Sequence, residues 1–258
     1  MLEKVDEKSI QSALRACEPE DLLQTGFADL DRELGGLRRG QTYLLGARPA
    51  MGKTTFTMNL ALNMLMDGRT VYVFSYEQSS AQYIRRMVKL ASDTYGEDLD
   101  AAQAIGRSNL YIDDATDSSI EDIMDACLEA DQRPDVMIVD YVQLVPGVAF
   151  RPDATGKTMT ELYEDFRRLA QDMNCPIILL SQVSRAIEQR EDKRPVISDL
   201  SVRQITSVVD NVLFLYRDDY YDNESEDKGF AELHIAYSKN TQVSAVRLKF
   251  DPKNGGFS

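Results

Sequence analysis

Ala47-Arg-Pro-Ala-Met-Gly-Lys-Thr54 decides the fold. It follows the apolar run Thr42–Ala47 and opens the stretch Lys53–Met66, where Phe56, Leu60, Leu62 and Leu65 recur at helical spacing. Strand, glycine-bearing loop and helix in that order make a P-loop, here with alanine in the first glycine position. The order follows from the chemistry, because backbone N–H groups of the loop and the helix N-terminus must face phosphate oxygens. Ala47, Arg48, Pro49, Ala50, Met51, Gly52, Lys53, Thr54 and Thr55 are therefore expected to cradle a nucleoside triphosphate, ATP with Mg²⁺. Lys53 would set a point charge on the β- and γ-phosphates, Thr54 would offer its hydroxyl to the metal, and Gly52 would let the backbone come close.

On both sides of the P-loop, strand and helix patterns alternate. Apolar strand runs fall at Val71–Ser75, Leu110–Ile112, Val136–Val139, Pro176–Leu180 and Val212–Leu215. Helical patterns fall between them at Ala81–Ala91, Ile120–Ala130 and Met159–Met173. Alternating βα units predict a mainly parallel sheet covered by helices on both faces. Phe230–Ala236 and Ala245–Phe250 are β-rich and separated by a turn, which predicts a closing antiparallel hairpin. Two long loops, 146–156 and 184–204, interrupt the pattern, and such loops are often functional. Residues 1–24 read as a separate linker-like helix with a narrow apolar face of Ile10, Ala13, Leu14 and Cys17; residues 25–258 form the main domain.

Three strand ends carry polar groups beside the P-loop. Val136-Met-Ile-Val-Asp140 ends a buried strand in a carboxylate, which can hold the metal's water shell. Val71-Tyr-Val-Phe-Ser-Tyr-Glu77 ends in a carboxylate that can either polarise an attacking water or cap the next helix. Pro176-Ile-Ile-Leu-Leu-Ser-Gln182 ends in an amide that can read a γ-phosphate or merely finish a strand. Arg185, Arg190, Lys193, Arg194 and Arg203 gather on one loop among Glu188, Glu191 and Asp192, and either a nucleic-acid contact or a solvated loop fits them. The acidic tract Asp218–Asp227 lacks calcium-loop spacing and reads as solvated surface.

Composition narrows the chemistry. The 258 residues are 43% hydrophobic and 28% charged, as expected of a globular α/β chain, and no run approaches the ~18 apolar residues of a membrane span. The charged N-terminus is unlike a secretory signal. Cys17, Cys127 and Cys175 have no metal-ligand spacing and read as reduced cytoplasmic thiols. A single histidine, His234, leaves little room for zinc or histidine-base chemistry. The net charge of −14 argues against a protein that coats duplex nucleic acid, although a narrow basic channel is compatible with it.

Several strings together resemble the C-terminal motor domain of DnaB-type replicative helicases. They are Thr25-Gly-Phe-Ala-Asp-Leu-Asp, the P-loop, Phe74-Ser-Tyr-Glu, Asp140-Tyr-Val-Gln-Leu, Leu180-Ser-Gln-Val-Ser-Arg, Gln189-Arg-Glu-Asp-Lys-Arg-Pro and Leu215-Tyr-Arg-Asp-Asp-Tyr-Tyr. The last of these and the Asp140 string speak against a recombinase-type relative. The resemblance runs from about Leu23 to the C-terminus. It implies a RecA-like fold, ATP hydrolysis with Mg²⁺, a hexameric homo-oligomer around single-stranded DNA, and contact with a helicase loader or other replication protein. It makes Glu77 the catalytic carboxylate, Lys53 the phosphate lysine, Gln182 the γ-phosphate sensor, and Thr54 and Asp140 the metal residues. Arg185, Arg194 and Arg203 become candidates for DNA.

The resemblance breaks in three places. Full-length members of the family carry an N-terminal helical domain, for which residues 1–24 offer only the linker-like helix. Where the family reads Leu-Arg-Glu-Ser-Gly, this chain reads Leu200-Ser-Val-Arg-Gln204, without the glycine. In the closing hairpin, Tyr237 replaces a lysine and Lys239 stands in the slot of the trans-acting arginine. Lysine keeps the charge but loses the planar fork that clamps phosphate oxygens. These departures motivate a second reading: an ATP-binding partner protein with weakened DNA binding and no unwinding of its own.

Overall fold

The structure, a computed structural model, describes residues 22–95, 97–148 and 156–258. Its order is β1 (Leu22–Leu23), α1 (Ala28–Leu34), β2 (Leu37–Arg38), β3 (Thr42–Ala47), α2 (Lys53–Met66), β4 (Thr70–Ser75), α3 (Ser80–Tyr95), α4 (Asp98–Gly106), β5 (Asn109–Asp113) and α5 (Ile120–Glu129). The chain continues with β6 (Val136–Asp140), α6 (Met159–Met173), β7 (Ile177–Gln182), a short α7 (Ile205–Val208), β8 (Asn211–Tyr216), β9 (Phe230–Ser238) and β10 (Ser244–Lys249).

Eight strands form one sheet in the order β10-β9-β8-β3-β7-β6-β4-β5. From β8 to β5 every pair is parallel; β9 and β10 are antiparallel, as the hairpin pattern predicts. The inner parallel strands β3, β4 and β6 are buried on both faces, so they read as continuous apolar runs rather than as alternation. Successive residues nevertheless enter different cores. Leu45, Val73, Ile138 and Leu180 pack with α1 to α4 on one face, whereas Leu44, Phe74, Val139 and Leu179 pack with α5, α6 and α7 on the other.

Of the expected N-terminal helix, residues 1–24, positions 1–21 lie outside the described residues. Leu22 and Leu23, placed at its end by the sequence reading, instead form β1 and pair with β2. Thr25 then turns the chain into α1: the Asp31 carboxylate accepts from the Thr25 N–H and hydroxyl, both at 2.8 Å, and from Gly26 N at 3.2 Å. The segment 184–204 is not shapeless. It contains two 3₁₀ turns, Arg185–Gln189 and Ile197–Asp199. Part of the other expected loop, 149–155, lies outside the described residues.

Candidate nucleotide site

Strand register builds the site. β3 aligns Ala47 with Gln182 of β7, and β4 aligns Ser75 with Asp140 of β6. Because β3, β7, β6 and β4 are consecutive, the P-loop, Gln182, Asp140 and Glu77 emerge side by side at the carboxyl end of the sheet, where open α/β sheets bind ligands. They share a cleft of about 210 Å³, with Gln78, Arg86 and Tyr141 also in its wall.

The loop takes its shape from Gly52, the N-cap of α2, whose φ of +99° excludes most residues with a β-carbon. An added Cβ would also meet the Phe257 ring at 2.8 Å. That ring, packed edge-on to Phe56, brings the last residues of the chain against the back of the P-loop, a contact for which the sequence carried no signal.

Lys53 donates through Nζ to the Ala47 carbonyl at 3.2 Å, which holds the ammonium over the loop. Burial pushes it down to about 8, against the opposing pull of Asp140 and Glu77. The Thr54 hydroxyl donates to Asp140 Oδ2 at 2.8 Å. Asp140 is 1% exposed, and burial raises its carboxyl to about 6 while the Thr54 hydrogen bond opposes the rise. A hydroxyl and a buried carboxylate are hard oxygen donors, a set that suits magnesium.

Glu77 is exposed to the cleft. The capping alternative is filled by other groups: Asp114 Oδ2 accepts from Ser80 N at 2.6 Å, and Gln82 Oε1 from Ser79 N at 3.0 Å. The Gln182 peptide is fixed by the Gln143 side chain, whose Nε2 donates to the Gln182 carbonyl at 3.2 Å and to the Ser181 hydroxyl at 2.8 Å. Gln143 thus positions the strand end that carries Gln182. Arg86 was not singled out from the sequence. It reaches from α3 to donate to Thr55 Oγ1 at 2.8 Å and Gln78 Oε1 at 2.7 Å, tying the P-loop helix to the segment behind Glu77. One of two adjacent arginines on the outer side of an amphipathic helix, 31 residues from Thr55, gives no local signal.

The other candidate residues lie elsewhere. Arg194 donates to Glu232 from Nε (2.8 Å) and Nη2 (2.6 Å) and lies over the Tyr216 ring. Arg190 makes a fork with Asp199 at 3.0 and 2.9 Å, and Lys193 sits over Tyr221. Arg185 and Arg203 are exposed. Lys239 ion-pairs through Nζ with the buried Asp210 at 2.5 Å, beside the start of β8. It therefore sits at the amino end of the parallel strands, about 20 Å from its own P-loop by the length of six strand residues. His234 bonds to Glu232 at 2.6 Å, and no group of three or more His, Cys, Asp or Glu side chains that could hold a metal ion is present among the described residues. Cys127 and Cys175 are buried free thiols, both pushed up to about 12 by burial. No helix among the described residues is long and apolar enough to cross a membrane.

The model of one family, the DnaB-like helicase C-terminal domain, matches residues 23–258. The chain belongs to that family. It is 34% identical over 248 residues to the replicative DNA helicase DnaB of Geobacillus stearothermophilus, covering 88% of this chain and 54% of that protein. It is 36% identical over 255 residues to the Haemophilus influenzae DnaB, covering 91% of this chain and 54% of that one. The chain thus spans about half the length of the curated relatives it matches. Among solved structures, the ATPase domain of G40P matches with a TM-score of 0.85 and 31% identity, over 97% of this chain and 95% of that one. The RadB recombinase, at 16% identity and a TM-score of 0.63, shares the RecA-like fold alone. As a member of this family the chain is a RecA-like ATPase domain of the replicative-helicase class, and a nucleotide site is part of that inheritance.

Proposed function

We propose that this chain hydrolyses ATP with Mg²⁺ to move along single-stranded DNA as the motor of a replicative helicase. The alignment of Lys53, Thr54, Asp140, Glu77 and Gln182 at the ends of four adjacent strands carries this reading. P-loop amides and Lys53 hold the β- and γ-phosphates, while Glu77 orients water for in-line attack. Thr54 and Asp140 would hold Mg²⁺, which would supply positive charge against the phosphate oxygens. Gln182 contacts the γ-phosphate and so distinguishes ATP from ADP.

Lys239 is too far from its own cleft to help there, but in a ring it can serve a neighbour's. That supports a homo-oligomer, hexameric in the family. Release of Lys239 from Asp210 would have to accompany such a role. Arg185 and Arg203 are the exposed cations for DNA phosphates, whereas Arg194 reaches DNA only by leaving Glu232. A loader or another replication protein is the further partner this reading implies.

Lys53→Ala tests it. Titration with a fluorescent ATP analogue should show affinity falling at least about tenfold, since a charge-assisted phosphate contact is worth ~1.5–3 kcal/mol. Unchanged affinity would remove the P-loop assignment. Single-stranded DNA binding that survives Arg185→Ala together with Arg203→Ala would redirect the DNA assignment.

A further inference from the structure

Arg48 belongs to the P-loop by sequence, yet its guanidinium faces away from the nucleotide cleft. Nε and Nη2 both donate to Glu188 Oε1, at 2.9 and 2.6 Å, and Nη1 donates to the Val183 carbonyl at 3.2 Å. The Arg48 side chain is only 11% exposed. Glu188 is 47% exposed, so separating the pair costs chiefly on the Arg48 side, where a largely buried cation would lose its carboxylate.

Both partners sit at informative positions. Val183 follows Gln182, and its N–H donates to the Ala47 carbonyl at 3.3 Å. The same carbonyl accepts from Lys53 Nζ. A shift of the ammonium toward phosphate therefore alters the hydrogen bonding of the atom that also holds Val183. Glu188 lies in the 3₁₀ turn Arg185–Gln189, at the start of the basic segment. That segment is closed on itself: Ser184 N donates to the Asp199 carbonyl at 2.8 Å, and Arg190 forks onto the Asp199 carboxylate. Closed in this way, residues 184–199 respond as a unit to a pull on Glu188, and Arg203 lies four residues beyond.

We propose that the Arg48–Glu188 pair couples the nucleotide loop to the 184–203 segment, so that each reports the state of the other. The proposal rests on the reading of the cleft as an ATP site; it does not require that the segment bind DNA. By linkage, whatever binds the segment changes nucleotide affinity by the factor with which nucleotide changes its own.

Hydrogen exchange of peptides covering 184–204 tests it, with and without a non-hydrolysable ATP analogue and Mg²⁺. Wild type, Glu188→Gln and Glu188→Asp are compared. In the wild type, nucleotide should change exchange across the segment. E188Q should keep the fold, Glu188 being half exposed, and bind the analogue, while its segment ceases to respond. E188D, which keeps the charge, should recover the response, a recovery that loss of a passive brace would not predict. If single-stranded DNA binds, nucleotide should alter its affinity in the wild type by about tenfold, and E188Q should abolish that effect. A segment in E188Q that responds as the wild type does overturns the proposal, as does a wild-type segment indifferent to bound nucleotide. An absence of DNA binding alone leaves the coupling standing and removes only the strand assignment. Absence of analogue binding by the wild type, seen in the same titration, removes both.

Discussion

Gly52→Ala is the perturbation whose cost the structure defines most closely. The residue needs φ of +99°, and a β-carbon in left-handed backbone costs ~1–2 kcal/mol. The added carbon would lie 2.8 Å from Phe257 Cζ and 3.0 Å from Cε2, well inside contact distance. A free phenyl ring would swing aside, but this one is 5% exposed and wedged between Phe56 and Phe250, with ring centroids at 5.8 and 5.1 Å. Overpacking of that kind costs a further ~1–3 kcal/mol. The total, about 2–5 kcal/mol, should lower Tm by roughly 4–20 °C in a chain of this size. Thermal melts of G52A, Phe257→Leu and the double variant separate the two parts. Leucine relieves the clash but not the backbone, so the double variant should be less destabilised than the sum of the singles by ~1–2 kcal/mol. A G52A melt within 2 °C of wild type, or strict additivity, would refute the account of how the C-terminal residues support the P-loop.

Glu77→Gln should bind ATP with near wild-type affinity and lose turnover by at least about 10²-fold, the scale of a general base, in a steady-state phosphate-release assay; undiminished turnover removes Glu77 from its role. Arg86→Ala deletes the bonds to Thr55 and Gln78, and nucleotide affinity should fall roughly tenfold by calorimetry, with less than ~1 kcal/mol lost from apo stability. Arg194, and after it His234, hold the Glu232 carboxyl down from its ordinary 4.5 to about 2. The stabilisation from that pair is therefore present above about pH 4.5 and is lost as pH falls toward 2. With the guanidinium side chain 38% exposed, solvent screening reduces its worth to ~1–2 kcal/mol. Urea titrations of Arg194→Ala should show that deficit at pH 7 and a shrinking one below pH 4; a deficit independent of pH would contradict the ion pair's role.

What the sequence made legible was local. The P-loop, Asp140, Glu77 and Gln182 each end a short apolar strand, so one pattern located both the strand and its polar tip. The parallel sheet and closing hairpin followed from the same alternation. Helices α1 and α4 escaped the pattern: α1 is seven residues long, and α4 mixes acidic residues and alanines with few apolar positions. The basic segment was legible as charge but not as structure. Its arginines choose between solvent and a carboxylate, and the carboxylates concerned, Asp199 and Glu232, are separated in sequence from the arginines they hold. Glu188 looked like part of the loop's own charge balance, yet its partner is Arg48, 140 residues earlier. Lys239 is a finger candidate by resemblance alone, and the Asp210 carboxylate that holds it belongs to another strand's start.

The central claim is that an ATP site in this fold drives movement on single-stranded DNA. Steady-state ATP hydrolysis with and without single-stranded DNA, measured across protein concentration, tests it most directly. The account predicts that DNA raises the rate and that the rate per chain rises with concentration, as Lys239 of one chain comes to serve the cleft of another. A rate indifferent to DNA and to concentration, with ATP still bound, would contradict the account and favour a nucleotide-dependent partner protein in place of a motor.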